Sequence, residues 1–275
     1  MNPKISNISV NNDTYKFTLS GINVSLANAI RRTILSDIPI VSIWTETYNE
    51  NQCIISKNTT RLHNEILKHR LSCIPIHTED LITFPNTYQL ELDMQNNTDQ
   101  PVIVTTEHFK LKNKETNNYL TNEEQIKIFP PCSKTNMYID FVRLRPKITD
   151  SIPGEHIKLT AEFSMHTASE NGSFNVVSNC TYNNTIDLIK ANDTWEQLSD
   201  KYTSENMEKA DYDIQKRNFY LLDAFRYFTP DSFDYSIESI GVFDNQIIVK
   251  KACMILQNKF LNLIESLESD TVFIK

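Results

Sequence analysis

Hydrophobic and polar positions alternate at the start of the chain. Ile8 and Val10 lie two apart, and after the turn-like Asn11-Asn12-Asp13 the same spacing recurs in Tyr15, Phe17 and Leu19. A period of two predicts two strands. The period then lengthens. Leu26, Ala29, Ile30, Thr33 and Ile34 fall at three- and four-residue intervals, which predicts one apolar face of a helix. Ser25 is its expected N-cap, and Pro39 ends it by pushing the preceding residue out of the α region. A second helix is predicted over 62–71, with Leu62, Ile66, Leu67 and Leu71 inward and Pro75 beyond its end.

From 81 to 165 the two-residue period returns in YQLELDM, PVIVTTEHF, MYIDFVRL and HIKLTAEFSM. Pro130-Pro131 and Ile152-Pro153-Gly154 punctuate this β-rich stretch as turns. Helical character resumes over 195–227. The segment SFDYSIESIG then predicts a strand with Phe233, Tyr235 and Ile237 on one face and Asp234, Ser236 and Glu238 on the other. A last helix begins near Asn245, where Ile248, Ala252, Ile255, Leu256, Phe260, Leu263, Ile264 and Leu267 form a long apolar stripe.

Composition narrows the function. With 40% hydrophobic and 23% charged residues the chain is globular, and no apolar run reaches the ~18 residues that span a bilayer. The first residues lack the apolar core of a signal peptide. A net charge of -8 argues against coating nucleic acid directly, because such affinity comes from neutralising phosphates. Cys53, Cys73, Cys132, Cys180 and Cys253 are scattered and odd in number, which predicts reduced thiols in a cytosolic or nuclear setting.

Catalytic signatures are missing. Four glycines cannot build a phosphate-binding loop or a dinucleotide fingerprint. His63 and His69 are six residues apart and do not share a helix face, and Asp211 and Asp213 have no third acid at ligand spacing. No enzyme activity, metal or other cofactor is expected.

Three separated segments point to a family. ANAIRRTILSDIPIVSI (27–43) resembles the first helix of the alpha-like subunits of multisubunit DNA-dependent RNA polymerases. NTTRLHNEILKHRLSCIPI (58–76) resembles the stretch that follows in the archaeal D and eukaryotic third-largest subunits. Asn58, Thr59, Glu65, His69, Arg70, Leu71, Ile74 and Pro75 carry that likeness. FDYSIESIGVFDNQIIVKKACMILQNKF (233–260) resembles the family's last strand and helix. The chain departs from many relatives in lacking a cysteine-rich zinc loop or iron–sulfur site in the β-rich stretch. Of a His-Ala-Lys-Trp-like motif, His166 alone has a counterpart. This divergence and the Asn-rich composition fit an AT-rich genome, such as that of a large DNA virus, and packaging in a virion would follow from such an origin.

The resemblance implies an α+β fold: a discontinuous two-layer dimerisation domain, antiparallel sheet plus helices, formed by 1–48 and 165–275, around an inserted β-rich domain at 49–164. It implies a non-catalytic assembly subunit that pairs with a smaller alpha-like subunit and meets nucleic acid only indirectly, with no membrane contact. Such a chain also docks the large catalytic subunits and small polymerase subunits. The partner-binding residues it implies are Leu26, Ala29, Ile30, Arg31, Arg32 and Ile34 on the first helix. Glu65, His69 and Arg70 follow on the second, and Ile248, Ala252, Leu256, Phe260 and Leu263 on the last. The alternative is a stand-alone homodimeric interaction protein with the same fold.

Overall fold

The computed structural model describes residues 2–11, 13–149, 152–204 and 208–272. In chain order the elements are β1 (Lys4–Asn11), β2 (Thr14–Ser20), α1 (Val24–Ser36), β3 (Ile40–Ser42), β4 (Cys53–Asn58) and α2 (Asn64–Ser72). Next come α3 (Thr83–Thr87), β5 (Tyr88–Gln95), β6 (Val102–Thr105), β7 (Lys110–Asn113), α4 (Asn122–Ile128), β8 (Asp140–Leu144), β9 (His156–Glu162) and β10 (Ser164–His166). The chain continues through β11 (Val177–Ile186), α5 (Leu188–Ser204), α6 (Lys209–Leu221), β12 (Phe228–Ser239) and α7 (Asn245–Val272). The fold is α+β with antiparallel ladders, as expected.

The chain divides into two compact units. One holds Met1–Thr33, Val177–Glu238 and Phe260–Lys275; the other holds Ile34–Val176 and Ser239–Lys259. The predicted limits at 48 and 165 both fall inside the second.

The first unit is built on a four-stranded sheet ordered β1-β2-β12-β11. Strands β2 and β12 pair without a shift, so Tyr15 lies opposite Ile237, Phe17 opposite Tyr235 and Leu19 opposite Phe233. All six are buried. Their burial on one face follows from the alternation, since successive strand side chains point to opposite faces. The Phe17 and Tyr235 rings stack 5.0 Å apart, and Tyr182 meets Phe233 edge-on at 5.5 Å. The other face is polar: the hydroxyls of Thr18 and Thr185 both donate to Asp234 Oδ1, at 2.6 and 3.0 Å.

Helix α1 corrects two expectations. Its cap is Asn23, whose Oδ1 accepts the Leu26 N–H at 2.9 Å, and Ser25 lies inside the first turn. The inward stripe is Ala27, Ile30, Thr33 and Ile34, while Leu26 and Ala29 sit half-buried on its flanks. Small Ala27 fits there because the Tyr235 hydroxyl donates to its carbonyl at 2.7 Å, which brings β12 close to the first turn. Helices α5 and α6 start and stop a little earlier than the predicted 195–227, and β12 starts four residues before its predicted Ser232. Trp195 and Phe219, 5.3 Å apart, form a separate small core with Ala191 and Ala224.

In the second unit the main sheet runs β4-β9-β5-β7, beside the two-stranded pairs β6-β8 and β10-β3. Leu90 and Leu92 of β5 face Ala161 and Leu159 of β9, and Phe109 meets Phe129 and Phe141 edge-on at 5.6 Å. Strands β4 and β7 and helices α3 and α4 were not expected. Helix α4 opens with a capping box in which Thr121 and Glu124 satisfy each other's backbone N–H. Helix α2 is anchored by Leu67 and Leu71, one turn apart and fully buried. Ile66, expected inward, is 46% exposed, because one residue along a helix is a 100° rotation away from Leu67.

Candidate functional site

The predicted partner-binding residues occupy three surfaces. On α1, Ile30 and Ile34 belong to the chain's own core, and Leu26 and Ala29 are half-buried. The Arg31 guanidinium is drawn back along its helix, with Nε and Nη2 donating to Asn28 Oδ1 at 3.1 and 2.9 Å. Arg31 also acts on the neighbouring thiol of Cys180, which burial pushes up to about 11 while the guanidinium pulls the other way. Arg32 is exposed.

On α2, Glu65, His69 and Arg70 are all exposed, and no ion pair joins Glu65 to His69 among the described residues. Arg70 Nη2 donates to the Asp140 carbonyl at 2.8 Å, fixing α2 to β8. The turn entering α2 is held by Asn58. Its Nδ2 donates to the Leu62 carbonyl and to Asn64 Oδ1 at 2.8 and 2.7 Å, and its Oδ1 accepts from the N–H and hydroxyl of Thr60. This gives Asn58 a structural role in the chain itself.

Helix α7 changes character along its length. Ile248 and Ala252 are fully buried and serve the core of this chain; Leu256 is half-buried. From Gln257 to Glu268 every side chain is exposed. Phe260, Leu263, Ile264 and Leu267, 50–59% exposed, recur at three- and four-residue spacing and form one apolar stripe, with Leu261 beside it. Contiguous apolar surface of this kind marks an interaction site. Of its members, Leu261, Ile264 and Leu267 extend the predicted set, and the same helical spacing identifies the last two.

His166, matched alone from its motif, is a structural pin. Its ring stacks on Trp44 at 4.8 Å and on Phe174 at 5.4 Å, and Nε2 lies 2.7 Å from Ser164 Oγ. Its Nδ1 is bonded to Glu170, a contact that holds that carboxyl below the usual range.

Among the described residues no group of three His, Cys, Asp or Glu side chains is placed to hold a metal ion, and no helix is long and apolar enough to cross a membrane.

Comparison with known proteins bears on these surfaces. The DNA-directed RNA polymerase subunit Rpo3 of Pyrococcus furiosus is 41% identical over 66 residues, 24% of this chain and 23% of that protein. Rpo3 of Pyrococcus horikoshii is 33% identical over 104 residues, 38% and 35% of the two chains. The human DNA-directed RNA polymerases I and III subunit RPAC1 is 30% identical over 78 residues, 28% and 20%. The matched stretches thus span about a third or less of these relatives. A far longer match, residues 16–260, is to the RNA polymerase Rpb3/Rpb11 dimerisation domain, and it takes in most of β2, all of β11 and β12, α1 and the buried half of α7: the chain belongs to that family.

Proposed function

We propose that the chain is a non-catalytic assembly subunit of a DNA-dependent RNA polymerase, which pairs with a smaller alpha-like subunit and docks the large catalytic subunits. The apolar stripe of α7 carries this reading. A chain of the dimerisation family exposes Phe260, Leu263, Ile264 and Leu267 together, and a helix with such a face is stable in water when a second chain covers it. Leu26 and Ala29, half-buried on α1, would add to that interface. An interface of ~1,000–2,000 Å² is expected.

In this reading Arg31, Arg32, Glu65 and His69 face the large subunits, and small polymerase subunits join the same assembly. Nucleic acid is reached only through those chains, in keeping with the net charge of -8. A dimerisation domain of residues 1–48 and 165–275 around an insert at 49–164, and a cytoplasmic or nuclear location, belong to the same proposal.

Affinity purification of the tagged chain from its native source tests it. Both large polymerase subunits and a small alpha-like chain are expected, and replacing Arg31 and Arg32 with Ala should reduce recovery of the second-largest subunit. Recovery of the chain alone, with a homodimer mass in light scattering, would instead establish the stand-alone homodimer.

A further inference from the structure

The second unit carries a groove of about 490 Å³ walled by Arg61, Arg70, Arg143 and Arg145. Four guanidinium groups around one groove stand out in a chain with a net charge of -8. Two carboxylate residues share the lining, Asp140 and Glu155. Glu155 is buried and already engaged: it accepts the Arg145 N–H at 2.6 Å and pairs with the guanidinium of the same residue. Arg70 donates to a neutral acceptor, the Asp140 carbonyl. Arg61 and Arg143 are exposed and enter no ion pair among the described residues.

The groove is also apolar. Leu62, Ile103 and Val142 line it, with Ile103 directly opposite Arg143 in the β6–β8 ladder. Strand β6 has a ladder partner on one side only among the described residues.

We infer that this groove docks an acidic, extended peptide segment of another protein, with carboxylates clamped by Arg61 and Arg143 and small apolar side chains set on Leu62 and Ile103. A guanidinium presents a planar fork that matches a carboxylate with two parallel hydrogen bonds, and two such forks beside an apolar floor select alternating acidic and apolar residues. A single-stranded nucleic acid fits less well. No aromatic ring lines the groove to stack a base. The inference uses the second unit alone and does not rest on the polymerase assignment.

The test is fluorescence anisotropy of the full chain with a labelled decapeptide alternating Glu and Val. The same peptide with Lys for Glu and a labelled thymidine decanucleotide serve as comparison probes. The acidic peptide should bind, and binding should weaken as salt rises. The double variant Arg61→Ser, Arg143→Ser should lose about tenfold or more in affinity. Its urea unfolding midpoint should be unchanged, since both side chains are exposed. Equal binding of the acidic and lysine peptides, or undiminished binding by the folded double variant, overturns the inference. Tighter binding of the oligonucleotide than of the acidic peptide also overturns it and makes the groove a nucleic-acid site.

Discussion

Helix α7 allows folding and assembly to be separated by two substitutions on one element. Ile248 is fully buried, so Ile248→Ala removes packed methyl groups and leaves a cavity, at a cost of about 2–5 kcal/mol of folding stability. Leu263 is 55% exposed in the chain by itself. Full burial of a leucine side chain is worth ~1.5–3 kcal/mol, so the half still facing water has about 1–1.5 kcal/mol left to contribute on association. Leu263→Ala should therefore leave folding of the isolated chain nearly unchanged and weaken pairing about five- to tenfold. Leu263→Asp adds the desolvation of a carboxylate, several kcal/mol, and should weaken pairing by about two orders of magnitude or more. Urea unfolding of the isolated chain by circular dichroism reads the first effect. Titration with the co-purified small partner, followed by light scattering, reads the second. If Leu263→Ala destabilises the isolated chain as much as Ile248→Ala, the end of α7 packs on the chain itself. If Leu263→Asp pairs normally, the stripe is not the interface.

Three further outcomes are expected. Hydrogen bonds from Thr135 and the Lys134 backbone bring the exposed Cys132 thiol down to about 7, while burial takes Cys53 and Cys180 up to about 11. The thiolate is the nucleophile, so iodoacetamide near neutral pH should modify Cys132 well before Cys53 and Cys180, with a rate that falls as pH drops through about 7; peptide mapping that finds all three equally modified would contradict this. A Cβ on Gly154 would lie 2.0 Å from the Asn96 carbonyl oxygen and 2.9 Å from that of Arg145. Gly154→Ala should therefore cost about 1–3 kcal/mol in urea unfolding, and a neutral effect would show that this backbone yields freely. Elemental analysis of purified protein should find neither zinc nor iron in stoichiometric amount; one zinc per chain would overturn the cofactor-free reading.

Strands β2 and β12 and the helical character of α1, α2 and α7 were legible in the sequence because each buries one face, and one-sided burial leaves a period of two or of three to four residues; β1 shows the same alternation although Ile5, Ile8 and Val10 are exposed, and β11 was not expected. The strong alternation in 233–237 placed Phe233, Tyr235 and Ile237 correctly on the inner face. Short elements were not legible in this way. Strands β4 and β7 and helix α4 are short runs of mixed burial, and the capping box at Thr121 and Glu124 was the one local signal available for α4. The phase of a helix was also beyond reach. Whether Leu26 or Ala27 points inward depends on where the chain enters α1, and Asn23 and the Tyr235 hydroxyl settle that from outside the helix.

The sequence by itself determined the longer helices and strands that bury one face, the absence of motifs for the familiar catalytic chemistries, and a family resemblance carried by three distant segments. Tertiary structure alone decided how the apolar stripe of α7 is divided. Ile248 and Leu263 are both apolar members of one periodic pattern, yet the first is sealed in the core and the second faces water. Periodicity records that a face is apolar; what covers it depends on neighbours far away in the chain. The arginine groove arose in the same way: Arg61 and Arg70 are far in sequence from Arg143 and Arg145, and the four become one site because β8 lies against α2.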